Sequence, residues 1–487
     1  MAAREEFNYL FSNPQSIAPF GLSSIGRLFS FEHWMASGLI SASITPAVYL
    51  RSSAAVSGLN TINALTLPFL FKNTYHLSPA GLSLLTVAVS APLFLRPFYA
   101  TLADNNPIFG YRRKPYLMMA AWLEICAKLG VGFAVHSGCS LWVVTSCLVL
   151  GASGMVLDMT VRDTLLIETA RPEISNSSGP ASNSEPLLPQ SEVGATLIAD
   201  VSALGAFSSL SVSYFSGYLL GLVAPGTLIM ASAGIPMISL SLAARLQEDV
   251  TMVRRPPMKL ENLARTFQQS GGVLQGQAVS ALVGATVPNF QDAMFFFYTD
   301  QLGLQPEFFG KFKLFGGIAS LLSNALYRTF LRDVNQSQLC IVASGLTIPV
   351  VAMAAVVTSG NTVTLFGLQP ATFILVRHCL YDALSTIAAI PNTVMLSKVA
   401  PRGNEGPFFA VYGSVNDLAS ILNGALSAAT IRAFGVTAHN FDNITPLIIF
   451  TTFSSVLTAP WTLWTPESEG RHIIDEEPEV DVEMVVS

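Results

Sequence analysis

The stretch Asp104-Asn105-Asn106-Pro107-Ile108-Phe109-Gly110-Tyr111-Arg112-Arg113-Lys114-Pro115-Tyr116 sets an acid and three successive cations between two long apolar runs. Such a cluster is rare in a chain of 487 residues that is 51% hydrophobic, 11% charged and has a mean hydropathy of +0.51. Water-soluble domains carry about 25% charged residues. The composition therefore describes a polytopic membrane protein, and an all-α one, because lipid offers no partner to an open backbone N–H or C=O. The net charge of −6 does not indicate a nucleic-acid partner: the acidic excess comes largely from the tail Glu467 to Glu483, while the short connections are basic.

Twelve apolar runs are long enough to span, at about 20 residues each. The first six lie at 45–71, 79–103, 115–136, 140–168, 195–222 and 226–245. The second six lie at 273–299, 307–330, 336–359, 365–396, 405–432 and 443–464. The division is a cytosolic extension 1–34, a first six-helix half 35–245, a central loop 246–272, a second half 273–465 and an acidic tail 466–487. A Ser-, Pro- and Asn-rich loop is expected at 172–193. Basic residues concentrate in the even-numbered connections, among them Arg112, Arg113, Lys114, Arg171, Arg254, Arg255, Lys398 and Arg402. The odd ones hold mainly Lys72, Lys311, Lys313 and Arg432, so both termini and the central loop fall on the cytosolic side. Six plus six around a long basic loop is the major facilitator layout, with ligand sites near the midplane. The five cysteines have no CxxC or metal spacing and read as packing residues, and the amino terminus lacks a basic leader.

Ionisable groups inside spans cost about 2.5 kcal/mol or more, so each that faces the bundle interior is a functional candidate. Span four carries Asp158, Arg162 and Asp163; span ten, its counterpart in the other half, carries Arg377, His378 and Asp382. Asp158 with Arg162, and His378 with Asp382, are four residues apart and share a helix face. If the halves obey a pseudo-two-fold, the two clusters face each other across a central cavity. The arginines then suit an anionic group, and a desolvated carboxylate or His378 suits proton coupling. The plain alternative is that each pair is a structural bridge, and that alternative is favoured for Glu124 and Lys128 in span three. Asp200 reads as a helix-end residue. In span seven, Asp292 precedes Phe295, Phe296, Phe297 and Tyr298, which can stack on a planar ring or simply pack. Asn60 with Asn63, and Asn416 with Asp417, suit interhelical hydrogen bonds. There is no P-loop, HExxH or GxSxG motif, so no enzyme activity, cofactor or metal is expected.

The Pro-Ile-Phe-Gly-Tyr-Arg-Arg run after Asp104 resembles the second-loop signature of the folate-biopterin transporter family, itself similar in fold to the major facilitators. Three further stretches in the same order carry the resemblance: VRDTLLIETAR from Val161, AMFFFYTDQLGLQPEFFGKFKLFGGIASLL from Ala293, and PRGNEGPFFAVYGSVNDLASILNGALSA from Pro401. Together they cover the chain from about Val48 to Pro466. The resemblance implies proton-coupled carriage of folates or pterins across the bilayer; separately, a monomer is expected. It makes Asp104, Gly110, Arg112 and Arg113 a cytosolic gating loop, with Asp163, Glu168 and Arg171 the charged end of span four. Arg162 and Asp292 depart from the family pattern, which leaves substrate choice open between folates and another organic anion. A sensor or scaffold that no longer transports is the reading from a different class. The membrane can be the plasma membrane or a plastid envelope.

Overall fold

The computed structural model describes residues 43–170, 190–248, 273–331, 334–399 and 405–463. The expected extension 1–34, the tail 466–487, the loop 172–193 up to residue 189 and the central loop beyond residue 248 lie outside the described residues. Residues 190–193, expected in that loop, already belong to a helix.

Helices account for nearly all of what is described. Helices α1 (Pro46–Leu59) and α2 (Thr61–Asn73) form one rod interrupted at Asn60. Helix α3 (Pro79–Ser90) passes through a tighter 3-10 stretch, Ala91–Leu95, into α4 (Arg96–Asn105). Then come α5 (Lys114–His136), α6 (Leu141–Ala170) and α7 (Gln190–Leu222). Helices α8 (Pro225–Ala231) and α9 (Gly234–Arg245) make another interrupted rod. After the gap follow α10 (Val273–Ala285), α11 (Gln291–Phe296) running into a π-helical turn Phe297–Gln301, and α12 (Pro306–Leu326). The described chain ends with α13 (Gln336–Thr358), α14 (Thr362–Phe366), α15 (Pro370–Val399), α16 (Glu405–Ala433) and α17 (Ile444–Leu463).

Proline opens α1, α3, α5 and α8 within their first two positions, where its missing N–H costs nothing. Among the described residues, seven stretches are long and apolar enough to cross a membrane: Pro46–Asn73, Pro79–Asp104, Lys114–His136, Leu141–Leu166, Pro225–Arg245, Gln338–Thr358 and Pro370–Ile390. The other five expected spans are helical too, in α7, α10 with α11, α12, α16 and α17, and twelve remains the proposed count. Large apolar side chains lie on the outside, including Phe98, Phe133, Trp142, Leu322 and Phe453, each at least 60% exposed. Patches of that kind are rare on a soluble protein and natural against lipid. The chain is a multi-pass integral membrane protein.

By contact, the chain divides into two compact units. The first takes in α1 to α9 together with Asp292–Ile318 and Thr437–Phe441. Its core gathers Tyr49 and Leu50 from α1, Leu117 and Ala120 from α5, Leu157 and Val161 from α6 and Leu242 from α9, all essentially inaccessible. Small residues let its helices approach closely. A Cβ on Gly58 would strike the Gly205 carbonyl of α7 at 2.6 Å, and one on Gly154 would meet the Ala120 carbonyl of α5 at 2.8 Å. The second unit takes in the described residues within Met258–Gln291, Ala319–Val436 and Asp442–Ser487, with Ala354, Phe373, Ile374, Leu447 and Ile448 at its core.

Span seven, expected to be continuous, breaks between Ala285 and Gln291 because Pro288 cannot donate an N–H. The groups freed there find partners. Asn423 of α16 donates to the carbonyls of Val287 at 2.6 Å and Ala285 at 3.4 Å, and Ser427 accepts from the Asn289 N–H at 2.7 Å. An interruption within a membrane is tolerated when its backbone is satisfied in this way.

Candidate functional site

The loop Asp104 to Tyr116 turns sharply at Phe109 and Gly110, both at positive φ (54° and 83°), between the paired Ile108 and Tyr111. Two successive positive φ values make a type I′ turn, which glycine accepts freely and Phe109 only at a cost. The turn places Arg113 at the start of α5, 3% exposed, with Nη2 at 2.7 Å from Asp104 Oδ1 and 3.0 Å from Glu168 Oε1. Arg112 reaches the same Asp104 oxygen at 3.5 Å. Burial works against the Arg113 charge, but Glu168 and Asp104 outweigh it and raise its pKa above the ordinary guanidinium value. Glu248, just past α9, accepts the backbone N–H groups of Arg112, Arg113 and Lys114 at 2.7–2.8 Å. An anion on a helix amino terminus meets both free donors and the positive end of the helix dipole. Tyr116 donates to the carbonyl of Asn106 at 2.7 Å, tying the end of α4 to α5. Three elements thus converge on residues that the sequence marked as a gating loop.

Deeper in the first unit, Arg162 Nε lies 2.9 Å from Asp158 Oδ2, both side chains less than one-fifth exposed. Arg162 Nη1 also donates to the Ser53 carbonyl of α1 at 3.4 Å. Buried Tyr49 and Glu124 lie within electrostatic reach of the pair, and Asp163 within reach of Arg162 and Arg96. Asp163 itself is exposed, one residue round the helix from Arg162. Arg96 donates to the Met159 sulfur at 3.0 Å.

Asp292 accepts a short hydrogen bond from Ser83 of α3, a residue only 3% exposed. The aromatic run beside it is mostly enclosed by other rings. Phe295 meets Phe69 edge-on at 5.0 Å and Phe309 at 5.3 Å, and Phe297 meets Phe441 at 5.8 Å. Phe296, Phe297 and Tyr298 are at most 8% exposed. In the second unit, His378 Nε2 lies 3.3 Å from Asp382 Oδ2 on α15, with Arg377 half-buried beside it.

All three i, i+4 pairs read from spacing are formed, Glu124 with Lys128 the widest at 3.9 Å. Asp200 corrects an expectation: it is not a helix end but sits ten residues into α7, where it pairs with Arg51 of α1 at 2.9 Å. Arg51 and Arg96 went unmarked, although a count of charges inside the first two spans exposes them. Lys72 at the end of α2 binds Asp300 and Thr299 in the π-helical turn, and no local spacing announces that pairing across more than two hundred residues.

Solved structures give the same architecture. The nucleoside transporter NupG superposes with a TM-score of 0.62 at 11% identity, over 85% of this chain and 98% of that one, which fixes the major facilitator fold. Relatives in sequence include "Folate transporter 2" of Plasmodium falciparum, 26% identical over 80% of this chain and 82% of its own length. "Folate-biopterin transporter" of Synechocystis is 24% identical over 85% of this chain and 81% of its own. The model of the BT1 family matches residues 57–483, nearly the whole sequence, and the chain belongs to the BT1 family.

Proposed function

We propose that the chain is a secondary transporter that carries folates or pterins through its membrane by alternating access, coupled to protons. The observation that carries this reading is the Asp158–Arg162 pair at 2.9 Å within α6, in a chain whose relatives are named folate and folate-biopterin transporters. A folate combines a planar heteroaromatic ring with a carboxylated tail. A guanidinium binds carboxylate in a two-pronged geometry and stays charged at any working pH, a role that falls to Arg162 and Arg377. Asp158 already engages Arg162, so an incoming carboxylate competes with it. Protonating Asp158 frees the guanidinium, and anion and proton then load together. His378 with Asp382 forms a second pair able to hold a proton, Asp163 sets the local charge beside Arg162, and Asp292 suits the hydrogen-bonding edge of a pterin ring. Asp104, Gly110, Arg112 and Arg113 act with Glu168 as the cytosolic gate.

Uptake of labelled folate into vesicles holding the purified protein, with and without an inward proton gradient, tests this. Saturable uptake stimulated by the gradient and lost in Arg162→Ala and Arg377→Ala supports it. Unchanged uptake in both variants, present in the membrane at normal levels, removes the assigned site. A second reading, carriage of a different organic anion, draws on the burial of Phe296, Phe297 and Tyr298, which leaves those rings little face for a pterin. Competition by unlabelled anions separates the two.

A further inference from the structure

The Glu124–Lys128 pair in α5 has the spacing of a structural bridge, yet the two groups stand 3.9 Å apart. The closer partner of Lys128 is neutral: Nζ donates to Asn60 Oδ1 at 2.7 Å and reaches the Ser232 carbonyl at 3.5 Å. Asn60 is the interruption between α1 and α2, and Ser232 the interruption between α8 and α9. The two breaks are joined further, since Ser232 Oγ donates to Asn63 Oδ1 at 3.1 Å. Tight packing aims the lysine there: a Cβ on Gly132, one turn along α5, would lie 2.5 Å from Met230 of α8. Three hard oxygens thus converge on one ammonium, the Asn60 amide, the Ser232 carbonyl and the 8%-exposed Glu124 carboxylate, and the Asn63 amide with the Ser232 hydroxyl ties the two breaks together beside them.

Oxygen donors gathered at broken helices, with one carboxylate nearby, are the ligand set of a small monovalent cation in a membrane. We propose that the Lys128 ammonium is a tethered cation that permanently fills an oxygen-lined cation site, so that this site needs no free cation and removing the tether opens it to a small one. The buried Glu124 supplies the driving force: Lys128 is its nearest cation, and Arg162, also within electrostatic reach, is already engaged by Asp158. The inference is independent of which substrate the chain carries.

The test is the melting temperature of the full-length purified protein in sodium, ammonium, ethylammonium or choline chloride at constant ionic strength. The wild type should show one melting temperature in all four salts. Lys128→Ala should melt lower in choline and be raised, saturably, by sodium, ammonium or ethylammonium, choline being too large to enter. Lys128→Gln keeps a donor toward Asn60 without the charge, and should respond in the same way should the alanine variant fold poorly. Lys128→Ala/Glu124→Gln should lose the response, its site no longer bearing a net charge. The proposal is overturned by single variants that none of the small cations stabilises over choline, by a wild type that sodium stabilises to the same extent, or by a double variant that responds as the single one does.

Discussion

Arg113→Gln removes the cation that Asp104 and Glu168 share, and the structure sets the size of the effect. Taking one partner from a fully buried ion pair costs about 3–5 kcal/mol, because the other is left charged and dry. Arg113 is 3% exposed, but Asp104 and Glu168 keep 37% and 30% of their side chains exposed and can recruit water once it is gone. About 2 kcal/mol is therefore expected, roughly thirtyfold in an equilibrium constant. Lysine at this position recovers only part of it, since a single ammonium cannot copy a guanidinium spread between two carboxylates. The assay is a double-mutant cycle on Arg113→Gln and Glu168→Gln, read by equilibrium unfolding in mixed micelles. The two changes should couple by about 1–2 kcal/mol, because each destroys the same contact. Additivity within about 0.5 kcal/mol would show that the 3.0 Å contact carries no energy and would refute the network as a latch.

Further outcomes follow from other contacts. Asn423→Leu strips the donor from the Val287 and Ala285 carbonyls at the break before α11, and should cost about 1–3 kcal/mol by thermal melting, whereas Asn416→Leu, whose amide bonds the Tyr412 carbonyl of its own helix, should cost less. Glu248→Gln weakens the charged cap on three N–H groups at the start of α5; the loss should be about 1 kcal/mol and shrink as salt is raised. Asp158→Asn should leave folate uptake measurable but flatten its response to a proton gradient, while His378→Gln measures the share of the second pair. Lys72→Asp with Asp300→Lys should restore part of the uptake lost by either reversal alone, and failure to do so would show that their contact is incidental.

The helical class, seven of the spans and the pairing of ionisable residues four apart were legible because each rests on local information. An apolar run of twenty residues cannot hide its length, and residues four apart on a helix meet whatever the tertiary fold. Asp158 with Arg162 and His378 with Asp382 are such cases. What escaped was set by distant neighbours. Glu248 is an unremarkable acid at the edge of a polar segment until the fold brings it onto the start of α5, and Asn423 is one polar residue among many until α10 breaks beside it. Lys128 shows both sides: spacing pairs it with Glu124, while the interruptions at Asn60 and Ser232 decide where its ammonium rests. Whether the rings from Phe295 to Tyr298 stack on a ligand or simply pack stayed open, because a sequence cannot say which rings already have partners.

Where α7 crosses α12 the two helices touch backbone to backbone. A Cβ on Gly217 would lie 2.6 Å from the Pro306 carbonyl and 2.8 Å from the Gly310 Cα, so no side chain fits between them. Most helix contacts interlock, and one helix can slide only if knobs leave their holes and find others. At Gly217 and Gly310 the contact is backbone alone, and the knobs stand to either side of it: Leu210 of α7 lies where a Cβ on Gly317 would fall, and Glu307 of α12 where one on Gly221 would fall. A single methyl group placed on Gly217 would act as a wedge, forcing the two backbones apart.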